Sequence, residues 1–157
     1  MSSPLAPEAA LRPAAPADEP FLRALYASTR EEELALTGWP PAQRDAFLDL
    51  QFELRERAWR ASRPTAVRSV VVADGAPVGR LDVDRSGAGV HVVDLALLPR
   101  WRGRGIGGAL LRALLEEGRT TTIYVERENP AQRLYARLGF RRIDTTGVYD
   151  LLERRAA

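Results

Sequence analysis

The chain has 157 residues, 45% of them hydrophobic and 28% charged, which is enough apolar material for one domain with its own core. It has no cysteine and one histidine, which excludes disulfides, thiolate metal sites and a cysteine-bound acyl intermediate and argues against any metal centre. The 23 basic residues are all arginine, the net charge is only +2 and the few aromatic residues are not interleaved with the arginines, so we expect no nucleic-acid partner.

The first ten residues form a leader that is rich in proline and alanine, and we expect it to be mobile. The leader lacks the basic start and apolar core of a secretion signal. No apolar run approaches the roughly 20 residues that a membrane-spanning helix needs. These features predict a cytoplasmic protein without a membrane partner, with a single domain over residues 11–157.

The first half of this domain is predicted to contain a short strand and two helices. Pro13 confines the strand, residues 11–14, to a sheet edge. Asp18 predicts the cap of a helix that extends to about Ser28 or beyond. Pro40 and Pro41 open a second helix. An apolar stripe predicts the face of this helix that packs into the core: Phe47, Leu50, Leu54 and Ala58.

The second half is predicted to alternate strands with helices. Two β-rich runs, 67–73 and 78–84, are joined by Asp74 and Gly75, a pair typical of a tight hairpin. Further strands are predicted at 89–97, 121–125, 140–144 and 148–152, and an amphipathic helix at 106–117. This order predicts an α/β fold with a mixed central sheet and helices on both faces.

The stretch from Leu97 to Gly118 has the strongest chemical signal. A turn with arginines and glycines lies between an apolar strand and an amphipathic helix. Glycines let the backbone approach a ligand and direct N–H groups at it, and the helix adds the positive end of its dipole. The pattern predicts a phosphate-binding turn made of Arg100, Arg102, Gly103, Arg104, Gly105, Gly107 and Gly108.

The same turn also matches the dinucleotide fingerprint GxGxxG, at Gly103, Gly105 and Gly108, with Glu126 near the spacing of a ribose-binding acid. A doubly wound nucleotide fold normally opens with this unit and then needs several further βα repeats. Too few residues follow Gly108 for those repeats. A dinucleotide-binding oxidoreductase is therefore the less favoured alternative, and an ordinary tight turn is another.

A second motif, NPAQRLYARLGF, follows the next predicted strand. In it Asn129 predicts a helix N-cap, Pro130 the first helical position and Gly139 the helix end. With RGRGIG upstream, residues 67–152 resemble the GCN5-related N-acetyltransferase (GNAT) superfamily. The resemblance implies the GNAT fold and an acetyltransferase that uses acetyl-CoA as its acyl donor and needs no metal.

The resemblance also implies roles for individual residues. The turn would hold the pyrophosphate of acetyl-CoA through backbone amides, and Asn129 would contact the pantetheine arm. The implied donor-binding residues are Leu97, Arg102, Gly103, Arg104, Gly105, Ile106, Gly107, Gly108 and Asn129. Tyr135 would lie near the thioester sulfur. The implied acceptor-binding residues are Tyr26, Arg30, Glu33, Trp39 and Glu126.

Acetyl transfer needs a neutral amine, and an amine with a lysine-like pKa near 10.4 costs roughly 4.6 kcal/mol to deprotonate at pH 7. The resemblance makes Asp94 the first candidate for the group that accepts the proton of the amine. His91 and Glu126 are the other candidates. A structural ion pair with an arginine is the competing interpretation of Asp94. Tyr135 is expected to donate a hydrogen bond to the leaving thiolate, with simple core packing as the alternative.

The sequence thus predicts direct transfer of an acetyl group from acetyl-CoA to a primary amine. A small molecule is the favoured carrier of that amine. The acidic run at residues 31–33 either attracts a cationic amine or is a solvated helix face. A non-catalytic acyl-CoA sensor that has kept the turn is the second interpretation. A homodimer is a further expectation, since related domains often pair.

Overall fold

Residues 8–156 are described by the computed structural model of this protein. The strands are β1 (Ala9–Pro13), β2 (Val67–Ala73), β3 (Ala76–Asp84), β4 (Val90–Leu97), β5 (Thr121–Glu126), β6 (Arg141–Thr146) and β7 (Tyr149–Arg154). The helices are α1 (Glu19–Ala35), α2 (Pro41–Ser62), α3 (Ile106–Leu115) and α4 (Gln132–Arg137), with 3₁₀ turns at Pro16–Asp18 and Pro99–Trp101. In this part of the chain, no helix has the length and apolar character needed to cross a membrane.

The strands form one mixed sheet in the order β1-β2-β3-β4-β5-β7-β6. Neighbouring strands are antiparallel, except that β4 and β5 are parallel. The β2–β3 hairpin turns at Asp74 and Gly75, as predicted. A doubly wound nucleotide fold needs a run of parallel strands. The sheet formed by residues 8–156 is therefore not the doubly wound fold that the dinucleotide-binding alternative expects.

The N-terminal strand lies at the edge of this sheet, where Pro13 predicts it to be. It begins at Ala9 and not at Leu11, so the last part of the expected leader pairs with β2. The rest of the leader, residues 1–7, lies outside the described residues, and its predicted mobility stays a prediction.

The main hydrophobic core lies between one face of the sheet and the helices α3 and α4. Helix α3 buries a row of apolar side chains that recur at helical spacing: Ile106, Leu110, Leu111 and Leu114. Strand β3 contributes Leu81 and Val83 to this core. Because side chains alternate along a strand, Arg80 and Asp82 lie on the opposite face.

Helices α1 and α2 cover that opposite face, so the predicted fold class is confirmed. A smaller apolar cluster joins the two helices: Leu22, Tyr26 and Phe52. Beneath α2 the sheet presents charge, since Arg80 and Asp82 are 4% and 1% exposed. Arg80 donates hydrogen bonds to Glu56 of α2 at 2.6 Å and to Asp82 at 2.7 Å. Buried charges persist when they are paired in this way.

The apolar stripe predicted as the buried face of α2 is wrong. Leu50 and Leu54 are 55% and 51% exposed, Ala58 is exposed and Phe47 is only half-buried. The buried positions of this helix are instead Phe52 and Glu56. Since α2 packs partly on a charged sheet surface, its inward face is not its most apolar face.

Helix α1 begins after Asp18, as predicted, but the Asp18 side chain does not cap it. The Asp18 carboxylate accepts a hydrogen bond from the Ala15 N–H at 2.7 Å and forms a bidentate pair with Arg12 at 2.8 Å. Asp18 therefore connects the entry of the helix to strand β1.

Helix α4 begins at Gln132 and not at Pro130, so Asn129 is not its N-cap. Asn129 instead accepts a hydrogen bond from the Ala131 N–H at 2.9 Å, in the turn before the helix. The Asn129 N–H donates to the Glu126 carbonyl at 3.0 Å. This turn fastens α4 to the end of β5.

Candidate active site

Strands β4 and β5 pair only over their first halves. Their parallel register runs from Val90 opposite Thr121 to Val92 opposite Ile123 and ends there. The register of β4 against β3 shifts at the same level and skips Val93. The second halves of β4 and β5 therefore form an opening in the middle of the sheet, which we call the wedge, residues 94–97 and 124–126.

The predicted phosphate-binding turn lies at the end of β4, beside the wedge. Gly103 and Gly105 have φ angles of 72° and 88°, in the left-handed region that favours glycine. Residues 102–105 are exposed. The first helical bond of α3 runs from the Ala109 N–H to the Gly105 carbonyl at 3.0 Å. The preceding amides, Ile106 to Gly108, therefore have no acceptor within the helix and suit an anion.

Arginines surround this turn and are held in place by the protein. Arg102 Nε donates a hydrogen bond to the Leu97 carbonyl at 2.9 Å, which ties the turn to the end of β4. The guanidinium groups of Arg100 and Arg104 lie 5.7 and 4.9 Å from the ring centre of Trp101, a buried residue. The turn thus combines free backbone amides with positive charge.

Helix α4 brings Tyr135 close to the same place. A Cβ on Gly107 or Gly108 would lie 3.9 or 3.6 Å from a methyl group of Leu134, an ordinary contact distance, so α4 lies beside the first turn of α3. Tyr135 is 5% exposed and packs edge-on against Phe140, with ring centres 5.6 Å apart. Burial, and then the negative charge of Asp94, raise the pKa of Tyr135 to about 12.

The two predicted catalytic residues, Tyr135 and Asp94, are therefore close enough for one charge to act on the other group. The Tyr135 phenol keeps its proton at neutral pH because its pKa is high. It can donate a hydrogen bond but cannot serve as a base there. Tyr135 is also part of the hydrophobic core, so it can pack in the core and donate a hydrogen bond at the same time.

Asp94 belongs to the ion network between α2 and the sheet. Its Oδ2 lies 3.1 Å from Arg55 Nη2 and 3.7 Å from Arg80 Nε. The network contains three arginines and three carboxylates: Arg55, Arg68, Arg80, Glu56, Asp82 and Asp94. Two guanidinium groups thus compensate the charge of Asp94, and the ion pair predicted as its competing interpretation is present.

His91, another candidate base, lies at the opposite end of β4. Its Nδ1 is 2.8 Å from Thr122 Oγ1, and it lines a cleft of about 520 Å³ with Arg63 and Asp84. Burial, and then the positive charge of Arg63, lower the pKa of His91 to about 4. At about 3.3 Å per residue, His91 is about 20 Å along the strand from Leu97. The structure thus sets it apart from the turn.

Comparison with known protein families identifies the region that contains the turn and Tyr135. Residues 66–142 match the family model described as an acetyltransferase (GNAT) domain. Residues 66–142 are a GNAT acetyltransferase domain. The resemblance predicted from the two motifs is therefore confirmed. A comparison with curated proteins gives no significant match.

Solved structures of acetyltransferases share the fold over more than nine-tenths of the chain. The PaiA N-acetyltransferase of Thermoplasma acidophilum, solved in complex with coenzyme A, is 18% identical, with 94% of this chain and 99% of that chain covered and a TM-score of 0.69. An acetyltransferase of Thermus thermophilus is 24% identical, with 93% and 96% covered and a TM-score of 0.65. A Corynebacterium glutamicum structure, described as histone acetyltransferase HPA2 and related acetyltransferase, is 23% identical, with 98% of each chain covered and a TM-score of 0.66.

Helix α1, outside the matched residues 66–142, carries most of the residues predicted to bind the acceptor. Tyr26 is 7% exposed, and its Oη accepts a hydrogen bond from Arg30 Nη1 at 2.8 Å. Arg30 also pairs with the exposed Glu33 at 3.1 Å. Trp39 packs edge-on against Phe47 at 5.3 Å, and the Arg30 guanidinium lies 6.0 Å from the same Phe47 ring. Tyr26 and Arg30 therefore lie closer to the interior of the protein, and Glu33 and Trp39 lie closer to its surface.

Arg55 of α2 is a site residue that the sequence analysis missed. Its guanidinium lies 4.8 Å from the ring centre of Tyr26 and 4.2 Å from that of Trp59, while it pairs with Asp94. The aromatic rings fix the plane of the guanidinium. On a helix with many charges, nothing in the local pattern distinguishes this arginine from its solvated neighbours.

Tyr149 is the second missed residue. It begins β7 and lies directly opposite Glu126 in the antiparallel register of β5 and β7. Burial, and then the charge of Glu126, raise the pKa of Tyr149, against opposing effects of Arg55 and Arg30. Tyr149 therefore lies where the end of β5 meets the arginines of α1 and α2. In the sequence, the feature that could have singled out Tyr149 is its position near the start of a predicted strand.

Proposed function

We propose that this protein is an acetyl-CoA-dependent N-acetyltransferase that transfers the acetyl group directly to a primary amine of a small molecule. The observation that carries the proposal is the exposed turn at the start of α3, where free amides and arginines lie beside the wedge. The coenzyme A bound by the Thermoplasma protein of the same fold supports this choice of donor.

The residues of the turn fit a pyrophosphate group. The amides of Ile106, Gly107 and Gly108 supply hydrogen bonds, and Arg102 and Arg104 supply charge. Donor binding would use Leu97, Arg102, Gly103, Arg104, Gly105, Ile106, Gly107, Gly108 and Asn129. The edge of β4 along the wedge offers backbone groups to a pantetheine arm. Bound acetyl-CoA supplies an activated thioester carbonyl for attack by the amine nitrogen.

Tyr135 would donate a hydrogen bond to the sulfur as negative charge develops there. The amine must lose a proton, directly or through water, to a carboxylate near the wedge. Asp94 is paired with Arg55 and Arg80. Glu126 is exposed at the end of β5 and is therefore the less constrained acceptor of the proton. The chain has no cysteine to carry an acyl group, which supports direct transfer.

Calorimetric titration with CoA, acetyl-CoA and NAD tests the donor site. We expect saturable binding of CoA and acetyl-CoA and none of NAD. Gly105→Ala should weaken CoA binding about tenfold or more, because a non-glycine residue in this conformation costs about 1–3 kcal/mol. Gly118→Ala is the matched control, since Gly118 also has a positive φ, 74°, but lies at the far end of α3. Saturable NAD binding without CoA binding would overturn the proposal.

The paired state of Asp94 favours one second candidate, a non-catalytic acyl-CoA sensor. CoA binding without thiol release from acetyl-CoA across a broad amine panel would support the sensor. A homodimer, a cytoplasmic location and the lack of nucleic-acid, membrane and metal partners stay predictions.

A further inference from the structure

The region around Tyr149 has opposite charges on its two sides. The helix side carries Arg30 of α1 and Arg55 of α2, and the sheet side carries Asp94 of β4 and Glu126 of β5. Tyr149 is paired in register with Glu126, and the charges of both arginines act on it. We call this region the acceptor region.

We propose that the acceptor is a free amino acid, whose carboxylate binds Arg30 and Arg55 and whose amine lies between Asp94 and Glu126. The inference rests on the proposed acetyltransferase function and specifies its substrate class.

Arg30 is held in place and still has donors to offer. Its Nη1 donates to Tyr26 Oη at 2.8 Å, and its Nε donates to Glu33 at 3.1 Å. A guanidinium has five N–H donors, so the Nη2 group is uncommitted among the hydrogen bonds of residues 8–156. Tyr26 is almost fully buried, so its hydrogen bond fixes the position of the Arg30 head group.

Arg55 is equally preorganised. It lies against the rings of Tyr26 and Trp59, at 4.8 and 4.2 Å, so the plane of its guanidinium is set before any ligand arrives. A planar, fixed guanidinium binds a carboxylate through two parallel hydrogen bonds. Its contact with Asp94 uses Nη2 alone, which leaves other N–H groups for a second carboxylate.

The sheet side suits an ammonium group that becomes the reacting amine. Asp94 is partly buried and Glu126 is exposed, and Asp94 lies near Tyr135, which would contact the leaving sulfur. Arg30 and Arg55 pair with Glu33 and Asp94 but keep further N–H donors, which a simple cationic amine cannot use because it has no carboxylate. The free donors therefore favour a zwitterion over a polyamine.

The test compares each of a series of L-amino acids with its own amide, which has the same side chain but no carboxylate, at a pH where the amines of both are protonated. Thiol release from acetyl-CoA gives kcat/KM for each pair. We expect the acids to exceed the amides about tenfold or more, the effect of losing a hydrogen-bonded charge pair. Arg30→Gln should lower the ratio of kcat/KM for an acid to kcat/KM for its amide, because it raises KM for the acids. Arg57→Gln, at an exposed position of the same helix as Arg55, should leave the ratio unchanged.

The native enzyme alone is enough to decide the matter, so a variant that fails to fold does not obscure the result. Amides used as well as or better than acids would overturn the amino-acid acceptor and leave acetyl transfer to amines standing; the arginines would then only neutralise neighbouring carboxylates. Turnover of other amines but not of amino acids would do the same. Absence of thiol release with every amine, although acetyl-CoA binds, would overturn the transfer function together with this inference.

Discussion

At the scale of single residues, the protonation state of Tyr135 determines what it can do. Its phenol is buried and near a negative charge, and both effects raise its pKa to about 12. A neutral phenol at pH 7 donates a hydrogen bond to a developing thiolate without losing its proton. The phenol would be neutral at pH 7 even at its ordinary pKa of 10.0, and burial with the charge of Asp94 extends the neutral state to more alkaline pH.

Tyr135→Phe should therefore lower kcat about tenfold or more, because a hydrogen bond to a charged group contributes about 1.5–3 kcal/mol. KM for acetyl-CoA and the thermal midpoint should change little, since the ring and its contact with Phe140 are kept. Steady-state kinetics and thermal unfolding measure both. A normal kcat in a folded variant would remove Tyr135 from the chemistry.

At the scale of elements, α2 shows how the packing partner of a helix decides its inward face. Arg80 and Asp82 of the sheet face this helix and need charged partners, so Glu56 is buried while Leu50 and Leu54 remain exposed. Hydrophobic spacing predicts an inward face only where the surface beneath is apolar. The prediction for the stripe of α2 is wrong for this reason. Helix α3 packs on an apolar sheet face through Ile106, Leu110, Leu111 and Leu114, while Ala109 and Ala113, which share the apolar spacing, are exposed.

Phe52→Ala should lower the free energy of unfolding by about 3–5 kcal/mol, because it empties the cluster between α1 and α2. Leu54→Ala, two residues along the same helix, should change it by less than about 0.5 kcal/mol. Denaturant unfolding compares the two variants. Equal losses would show that the exposed stripe of α2 is covered in solution.

At the scale of the whole molecule, stability should fall with acid in two separate steps. The pKa of His91 is lowered from 6.5 to about 4 by burial, so the folded state favours the neutral ring. Its contribution to stability is complete above pH 6.5 and is lost as pH falls toward 4. The pKa values of Asp18 and Asp84 are lowered from 3.8 to about 2 by hydrogen bonds, chiefly from Arg12 and Ser86 respectively. Their contributions are lost below pH 3.8.

Denaturant midpoints measured against pH resolve these two steps. His91→Gln should remove the decline between pH 6.5 and 4 and leave the lower step in place. A wild-type midpoint that is constant over the upper range would contradict the assigned environment of His91.

The sequence by itself determined the features that depend on neighbouring residues: the hairpin at Asp74 and Gly75, the glycine-rich turn with its helix, the order of strands and helices, and the paired motifs of the GNAT family. Glycine conformations, helix ends and strand alternation are local properties, and local patterns report them. Only the tertiary structure decided which face of α2 is buried, that Arg55 pairs with Asp94, and that Tyr149 meets Glu126. These contacts join residues that are distant along the chain, and their partners are set by how helices pack on a sheet and by the need to neutralise buried charge.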